Sequence, residues 1–234
     1  MYKYGQYCPI AKAVEILGDR WTLLIVRDLL TGTNHFNDLE RGLPGISRGL
    51  LAERLRWLQR MGLVEKINRD AGRQRTAYHL TEAGRELQAV INALLIWGAR
   101  WAFNEPDAND LDPVLLMWWI RGRIRVDQLP EHRVVVQFDF TGARSESFWL
   151  VLTKDDVSVC LTDPGFGLDV LVTADLATFF QIWLGRVSFY DAMKDGYVEI
   201  DAIPALANAL PTWFAYSLAA PAVRAVAAEL SVGE

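Results

Sequence analysis

The 234 residues exceed an ordinary single core unit and fit two, and 51% hydrophobic residues with nine Trp describe a folded chain and not a disordered one. Two cysteines, Cys8 and Cys160, exclude a disulfide framework, and no apolar run of 18 residues or signal-like leader occurs, so a cytoplasmic protein with no membrane partner is expected. The formal net charge of -5 hides an asymmetry: residues 1–104 carry 15 Lys and Arg against 10 Asp and Glu, whereas residues 105–234 carry 9 against 19. A basic first half suits phosphates, and an acidic second half opposes non-specific adhesion to nucleic acid.

In chain order, "PIAKAVEILG" and "RWTLLIVRDLLTG" read as two short helices separated by Gly18, and "HFNDLERGL" as a third that ends at Gly42 and Pro44. Ser47 caps a fourth, because its hydroxyl can take an amide hydrogen left unpaired in the first turn. Leu51, Leu55 and Leu58 form its buried stripe. The face opposite carries Gly49, Glu53, Arg56 and Arg60, with Arg48 and Arg54 on the flanks. Guanidinium groups fork onto phosphates or guanine edges, and Gly49 permits close approach to a duplex.

After Gly62, "LVEKIN" and "QRTAYHL" read as the two strands of a hairpin around "RDAGR", with Tyr78 and Leu80 turned toward the core. Lys66, Arg69, Arg73 and Arg75 cluster on or beside its tip. A basic helix followed by a basic hairpin offers two separate contacts to double-stranded DNA, one in the groove and one on flanking phosphates or the minor groove.

A long helix follows from Thr81, its N-cap. Its apolar residues, Leu87, Ile91, Leu94, Trp97 and Trp101 among them, make a surface too broad for a small domain to bury on one side. Either a second copy of the chain covers it, giving a homodimer with two reading helices, or the following domain does. The acidic, proline-containing "NEPDANDLDP" then marks a boundary, giving domains at 1–104 and 114–234 joined by a linker at 105–113.

The second half changes period. "LLMWWIRG" is helical; "HRVVVQFDF", "SESFWLVLTKD", "DVSVCLTD" and "LDVLVTAD" are strands; "LATFFQIWLG" and "SFYDAMKDG" are helices; "YVEID" is a strand, "IPALANALPTWF" a helix and "AAPAVRAVAAEL" an alanine-rich helix. This order makes an α+β layer. Its aromatic residues exceed what one sheet face needs, and Phe140, Trp149, Phe179 and Trp183 are candidate walls of a cavity for an apolar small molecule. Arg121, Arg123 and Arg125 alternate in "RGRIRV", as on a solvated edge strand or as partners of an anion.

Enzyme readings find no support. His35, His79 and His132 are widely spaced, and no C-x-x-C or H-E-x-x-H pair, glycine-rich phosphate loop or nucleophile elbow occurs, so no catalytic residue, metal or cofactor is expected.

"ILGDRWTLLIVRDL", the pattern running from Phe36-Asn37-Asp38-Leu39 through Gly45-Ile46-Ser47 to Gly62-Leu63-Val64, and "YHLTEAG" resemble the HxlR-type winged helix-turn-helix transcriptional regulators over about residues 5–103. The resemblance implies a dimer that binds operator DNA, with Phe36 to Leu43 as positioning helix, Ser47 to Met61 as recognition helix and Asn68 to Arg75 as wing. The wing departs from the family pattern, since "AGRQRTAY" lacks the usual proline. Cys8 matches a position that some members use as a redox sensor, although a structural thiol is the simpler reading. Residues 114–214 resemble the sterol-carrier-protein-2-like (SCP2) fold, which implies a tunnel for apolar molecules between sheet and helices. The fold class expected is thus two domains, an N-terminal mainly α winged helix-turn-helix and a C-terminal α+β SCP2-like domain. The reading from another class is a structural or protein-interaction module that binds neither DNA nor ligand.

Overall fold

Pro9, whose missing amide hydrogen costs nothing in a first turn, opens α1 (Pro9–Leu17) in the computed structural model, which describes residues 3–68, 76–104, 106–107 and 110–231. The chain divides into two compact units, Met1–Leu94 and Leu95–Glu234. In the first, α2 (Thr22–Leu30), α3 (Phe36–Gly42) and α4 (Arg48–Arg60) precede an antiparallel hairpin of β1 (Val64–Asn68) and β2 (Thr76–Leu80), with Val64 opposite Leu80. Ile25, Val26, Leu39, Leu43, Leu51, Leu55 and Leu58 are buried together with Val64 and Leu80 in the core of this unit.

Two details differ from the sequence reading. Leu80 is buried but Tyr78 is only half-buried, and Ala77 takes a core position because β2 also pairs with His35 on its other edge, Tyr78 N donating to Asn34 O at 2.8 Å. The long helix after Thr81 is two helices, α5 (Glu82–Glu86) and α6 (Gln88–Trp101), with Leu87 between them. Thr81 Oγ1 accepts from Gly84 N at 3.2 Å, and a Cβ on Gly84 would stand 2.1 Å from Leu63 O, so only glycine lets this helix start so close to the end of α4 and the start of β1.

The second unit opens with α7 (Pro113–Arg121), capped by Asp112 Oδ1, which accepts from Val114 N at 2.9 Å and Leu115 N at 3.1 Å. Its sheet contains β3 (Val134–Thr141), β4 (Glu146–Leu152), β5 (Val157–Cys160), β6 (Val170–Asp175) and β7 (Val198–Ala202) in the order β5-β4-β3-β6-β7. All neighbours are antiparallel except β3 and β6, which run parallel with Phe138 beside Val172. Helices α8 (Leu176–Leu184), α9 (Phe189–Lys194), α10 (Pro204–Ala209) and α11 (Ala220–Ser231) complete it. The expected helix over residues 203–214 is α10 followed by a tighter 3-10 turn, Leu210–Trp213. This is the α+β layer read from the sequence.

Alternation sets the core. Val134, Val136, Phe138 and Phe140 of β3 and Phe148, Leu150 and Leu152 of β4 are buried in one cluster with Leu116, Met117 and Ile120 of α7 and Phe179, Phe180 and Trp183 of α8. The phenyl rings pack on each other, Phe140 on Phe179 with centroids 5.6 Å apart and Phe138 on Phe179 at 5.5 Å. Leu111, inside the expected linker, belongs to the same cluster. Trp149 does not. It lies between the two core residues Phe148 and Leu150, so the period of two turns it to the other face of the sheet, half-buried, opposite Gln137 and Cys160. Residues 123–125 are likewise no edge strand: only Ile124 pairs, in a single bridge with Phe214, before a 3-10 turn at Val126–Gln128.

Candidate nucleic-acid interface

The site is built on α4. Ser47, in extended conformation, accepts from Leu50 N through its hydroxyl at 3.2 Å, as its N-cap role requires. The buried Leu51, Leu55 and Leu58 hold one side of the helix down, and the rotation of 100° per residue then leaves Gly49, Glu53, Arg56 and Arg60 exposed on the other. A Cβ at Gly49 would meet nothing within 4 Å, so the N-terminal end of this face is open. Trp57 Nε1 donates to Ile16 O at 3.1 Å and ties α4 to the end of α1.

The flanking arginines are committed to neighbours. Arg48 is exposed, but its guanidinium pairs with Glu40, donates to Asn37 Oδ1 at 3.2 Å and lies 5.0 Å from the centroid of the Phe36 ring, three contacts that fix α4 on α3. Arg54 pairs with Asp19, and its side chain is only 19% exposed, with Nε buried and without a partner among the described residues. Arg54 therefore links α4 to the turn before α2 and does not stand in the open face expected of a reading residue. Arg60 lies over the Trp57 ring at 5.4 Å.

Among the described residues, neither Arg56 nor Lys66 forms an ion pair. Burial pushes the Tyr78 phenol pKa up, and the Arg56 guanidinium opposes this. Lys66 is exposed on β1, opposite Tyr78. Ser47, Arg48, Gly49, Glu53, Arg56, Arg60 and Lys66 are thus brought together on or beside one helix, while Arg69, Arg73 and Arg75 lie outside the described residues. Sequence reasoning missed the roles of Asp19, Asn37 and Glu40. The signal was present in that each precedes or lies in a helix next to α4, but a pairing across 35 residues, as between Asp19 and Arg54, has no periodicity to reveal it.

Of the residues expected at a dimer contact, Leu94, Trp97 and Trp101 are 46%, 60% and 70% exposed and share one side of α6 by spacing. Leu87 is half-buried, and Ile91 is buried within its own chain and unavailable to a partner. Of the expected cavity walls, Phe140, Phe179 and Trp183 share the core and Trp149 does not. No helix among the described residues is long and apolar enough to cross a membrane.

The HxlR-like helix-turn-helix family model matches residues 16–106. An uncharacterized HTH-type transcriptional regulator of Mycobacterium tuberculosis is 44% identical over 89 residues, 38% of this chain and 56% of that protein, so the chain spans little more than half the length of that relative. The HTH-type regulator YvaP of Bacillus subtilis is 36% identical over 98 residues, 42% of this chain and 91% of YvaP. Among solved structures, the reduced form of the transcriptional regulator YodB from B. subtilis is 34% identical, covering 42% of this chain and 96% of that one, with a TM-score of 0.38.

Proposed function

The chain belongs to the HxlR-like helix-turn-helix family, and from that premise we propose that it is a transcriptional regulator that binds double-stranded DNA through α4. The family is one of non-catalytic DNA-binding proteins. One observation carries the reading for this chain. The outer face of α4 presents Gly49, Glu53, Arg56 and Arg60 to solvent with Arg56 unpaired among the described residues and Lys66 close by on β1. Arg56 and Arg60 would reach base edges or phosphates in a major groove; Lys66 and the basic residues Arg69, Arg73 and Arg75 would meet the flanking backbone. Arg48 and Arg54 act as positioning residues that hold α4 at its angle.

The regulator is proposed to work as a homodimer joined through Leu94, Trp97 and Trp101 of α6, with Leu87 at the margin. A functional boundary at 105–113 would then separate reading and response. The second domain, 114–234, is proposed to be SCP2-like and to respond to an apolar effector against Phe140, Phe179 and Trp183. An effector changes DNA affinity only by binding two arrangements of the dimer unequally.

Binding of the purified chain to duplex DNA from its own promoter region, measured by fluorescence anisotropy between about 50 and 200 mM salt, tests the central claim. A steep log-linear loss of affinity with salt, of the order of 10³-fold for six phosphate contacts, is expected. Salt-independent or undetectable binding would leave the protein-interaction reading in its place.

A further inference from the structure

The second unit holds a cluster of cations that neither the core nor the regulatory reading uses. Ala215 N donates to Arg123 O at 2.9 Å and Arg125 N to Trp213 O at 2.8 Å, which lays residues 123–125 along residues 213–215. Arg123 then donates through Nε to Tyr216 O at 2.9 Å and through Nη2 to Ala215 O at 3.1 Å, and Arg125 Nη1 reaches Thr212 O at 3.5 Å. From α11, Arg224 places its guanidinium 5.4 Å from the centroid of the Tyr216 ring and donates through Nε to Gly185 O at 3.3 Å. Gly185 has a φ of +80°, and a Cβ there would stand 2.8 Å from Arg224 Nε and 2.9 Å from Ala220 Cβ, so glycine is what admits Arg224 to this position. Tyr216 itself has a φ of +48°, a conformation that costs a non-glycine residue energy and is held here by Arg123 on its carbonyl.

Residues 105–234 contain 9 Lys and Arg against 19 Asp and Glu, yet among the described residues Arg123, Arg125 and Arg224, gathered along residues 212–216, form no ion pair with a carboxylate. The ion pairs described in this unit are Arg100 with Glu229 and Lys154 with Glu131, and neither involves the cluster. Backbone carbonyls take some of the guanidinium hydrogens but neutralise none of the charge, and arginine does not shed its proton at neutral pH. Burial and the neighbouring Arg125 both push the Arg123 pKa down, and Arg224 and Arg125 both oppose the upward push of burial on the Tyr216 phenol, so Arg125 acts on both Arg123 and Tyr216. Cations approaching from two chain segments, with Arg125 Nη2 and both terminal nitrogens of Arg224 making no hydrogen bond among the described residues, are a donor set for the oxygens of a compact dianion.

We propose that Arg123, Arg125 and Arg224 around Tyr216 form a binding site for a phosphate dianion, free or as the head of a phosphomonoester. The site stands apart from the DNA reading, and its test contains no DNA. Inorganic phosphate is titrated into the full chain by calorimetry at a constant ionic strength held with sodium chloride, with glycerol phosphate and succinate in parallel. Saturable one-to-one binding of phosphate is expected, weakened about tenfold or more in Arg224→Gln and again in Arg125→Gln, and unchanged in Arg144→Gln on the exposed turn between β3 and β4. Arg125→Gln, which removes an exposed side chain with one long hydrogen bond, keeps the test valid if Arg224→Gln perturbs α11. Glycerol phosphate binding at least tenfold tighter than inorganic phosphate identifies an ester as the ligand, and equal or weaker binding identifies the free ion. Non-saturable heats, phosphate binding unaltered in the folded Arg125→Gln and Arg224→Gln variants, or succinate binding as tightly as phosphate would each overturn the proposal.

Discussion

Helices α4 and α6 are nearly equal in length, 13 and 14 residues, and opposite in what they leave outside. α4 buries Leu51, Leu55 and Leu58 and turns Glu53, Arg56 and Arg60 outward; α6 buries Ile91 alone and leaves Leu94, Trp97 and Trp101 in the open. A charged outer face is stable in water, so whatever it meets must be chosen by its chemistry. An apolar outer face is unfavourable by roughly 25 cal/mol for every Å² left wet, so its burial is a driving force in itself. The first kind of surface selects a partner and the second demands one, which is why the same chain is expected to read DNA with one helix and pair with a copy of itself through the other.

Breaking the inner side of α4 should have the largest effect. Leu55 is 1% exposed, and Leu55→Ala is expected to cost about 3 kcal/mol in urea unfolding, because the lost methyl groups leave a cavity behind. The same truncation on α6, Leu94→Ala, should leave the stability of the chain within about 0.5 kcal/mol at concentrations too low for pairing. If the two truncations cost the same, the contrast between the helices is wrong.

Next in size, Trp97→Glu is expected to weaken self-association by about 30-fold or more, the loss of roughly 2 kcal/mol at a central aromatic contact. Sedimentation velocity reads this directly. A wild-type chain that sediments as a monomer at micromolar concentration rejects the pairing outright, and Trp97 must then find its cover elsewhere.

How far these surfaces were legible in the sequence differs between them for a physical reason. The period of 3.6 announced the buried stripe of α4 and, by subtraction, its outer face, and Ser47 announced its start. The period of two announced β3 and β4, and the same rule, applied to Trp149 between Phe148 and Leu150, would have removed it from the expected cavity wall. Arg54 could not be read that way. Its partner Asp19 is 35 residues distant, and only the packing of the turn before α2 against α4 brings them together. The edge-strand reading of "RGRIRV" failed likewise, since alternation suggested a strand while the side chains of Arg121, Arg123 and Arg125 bond to the carbonyls of Val157, Thr212, Ala215 and Tyr216.

That difference sets the third prediction. Arg56→Ala should lower affinity for promoter DNA about tenfold and leave unfolding unchanged, as removal of an unpaired surface cation at a groove would do. Arg54→Ala should do the reverse in emphasis, destabilising the first unit by about 1 kcal/mol, since its pair with Asp19 is partly solvent-exposed and worth little more. Equal losses of affinity with no loss of stability in both would put Arg54 back on the reading face.

The smallest effect concerns α2 and is read through pH. Asp28 on α2 is buried; Arg27 donates to its Oδ1 at 2.7 Å, and Oδ2 has no partner among the described residues. Burial holds its carboxyl pKa above the usual carboxylate value, against the pull of Arg27. The folded state therefore keeps this proton to a higher pH than the unfolded state does. The stability that Asp28 contributes is present below the ordinary carboxylate pKa and is lost as pH rises through the folded value, after which the dependence is flat. Asp28→Asn removes the titration, so the stability of the variant relative to wild type should climb across that window and level off above it, in urea unfolding followed from pH 4 to 8. A difference that falls with rising pH would mean that the Arg27 pair outweighs burial, and the charged form of Asp28 would then be the one the folded first unit favours.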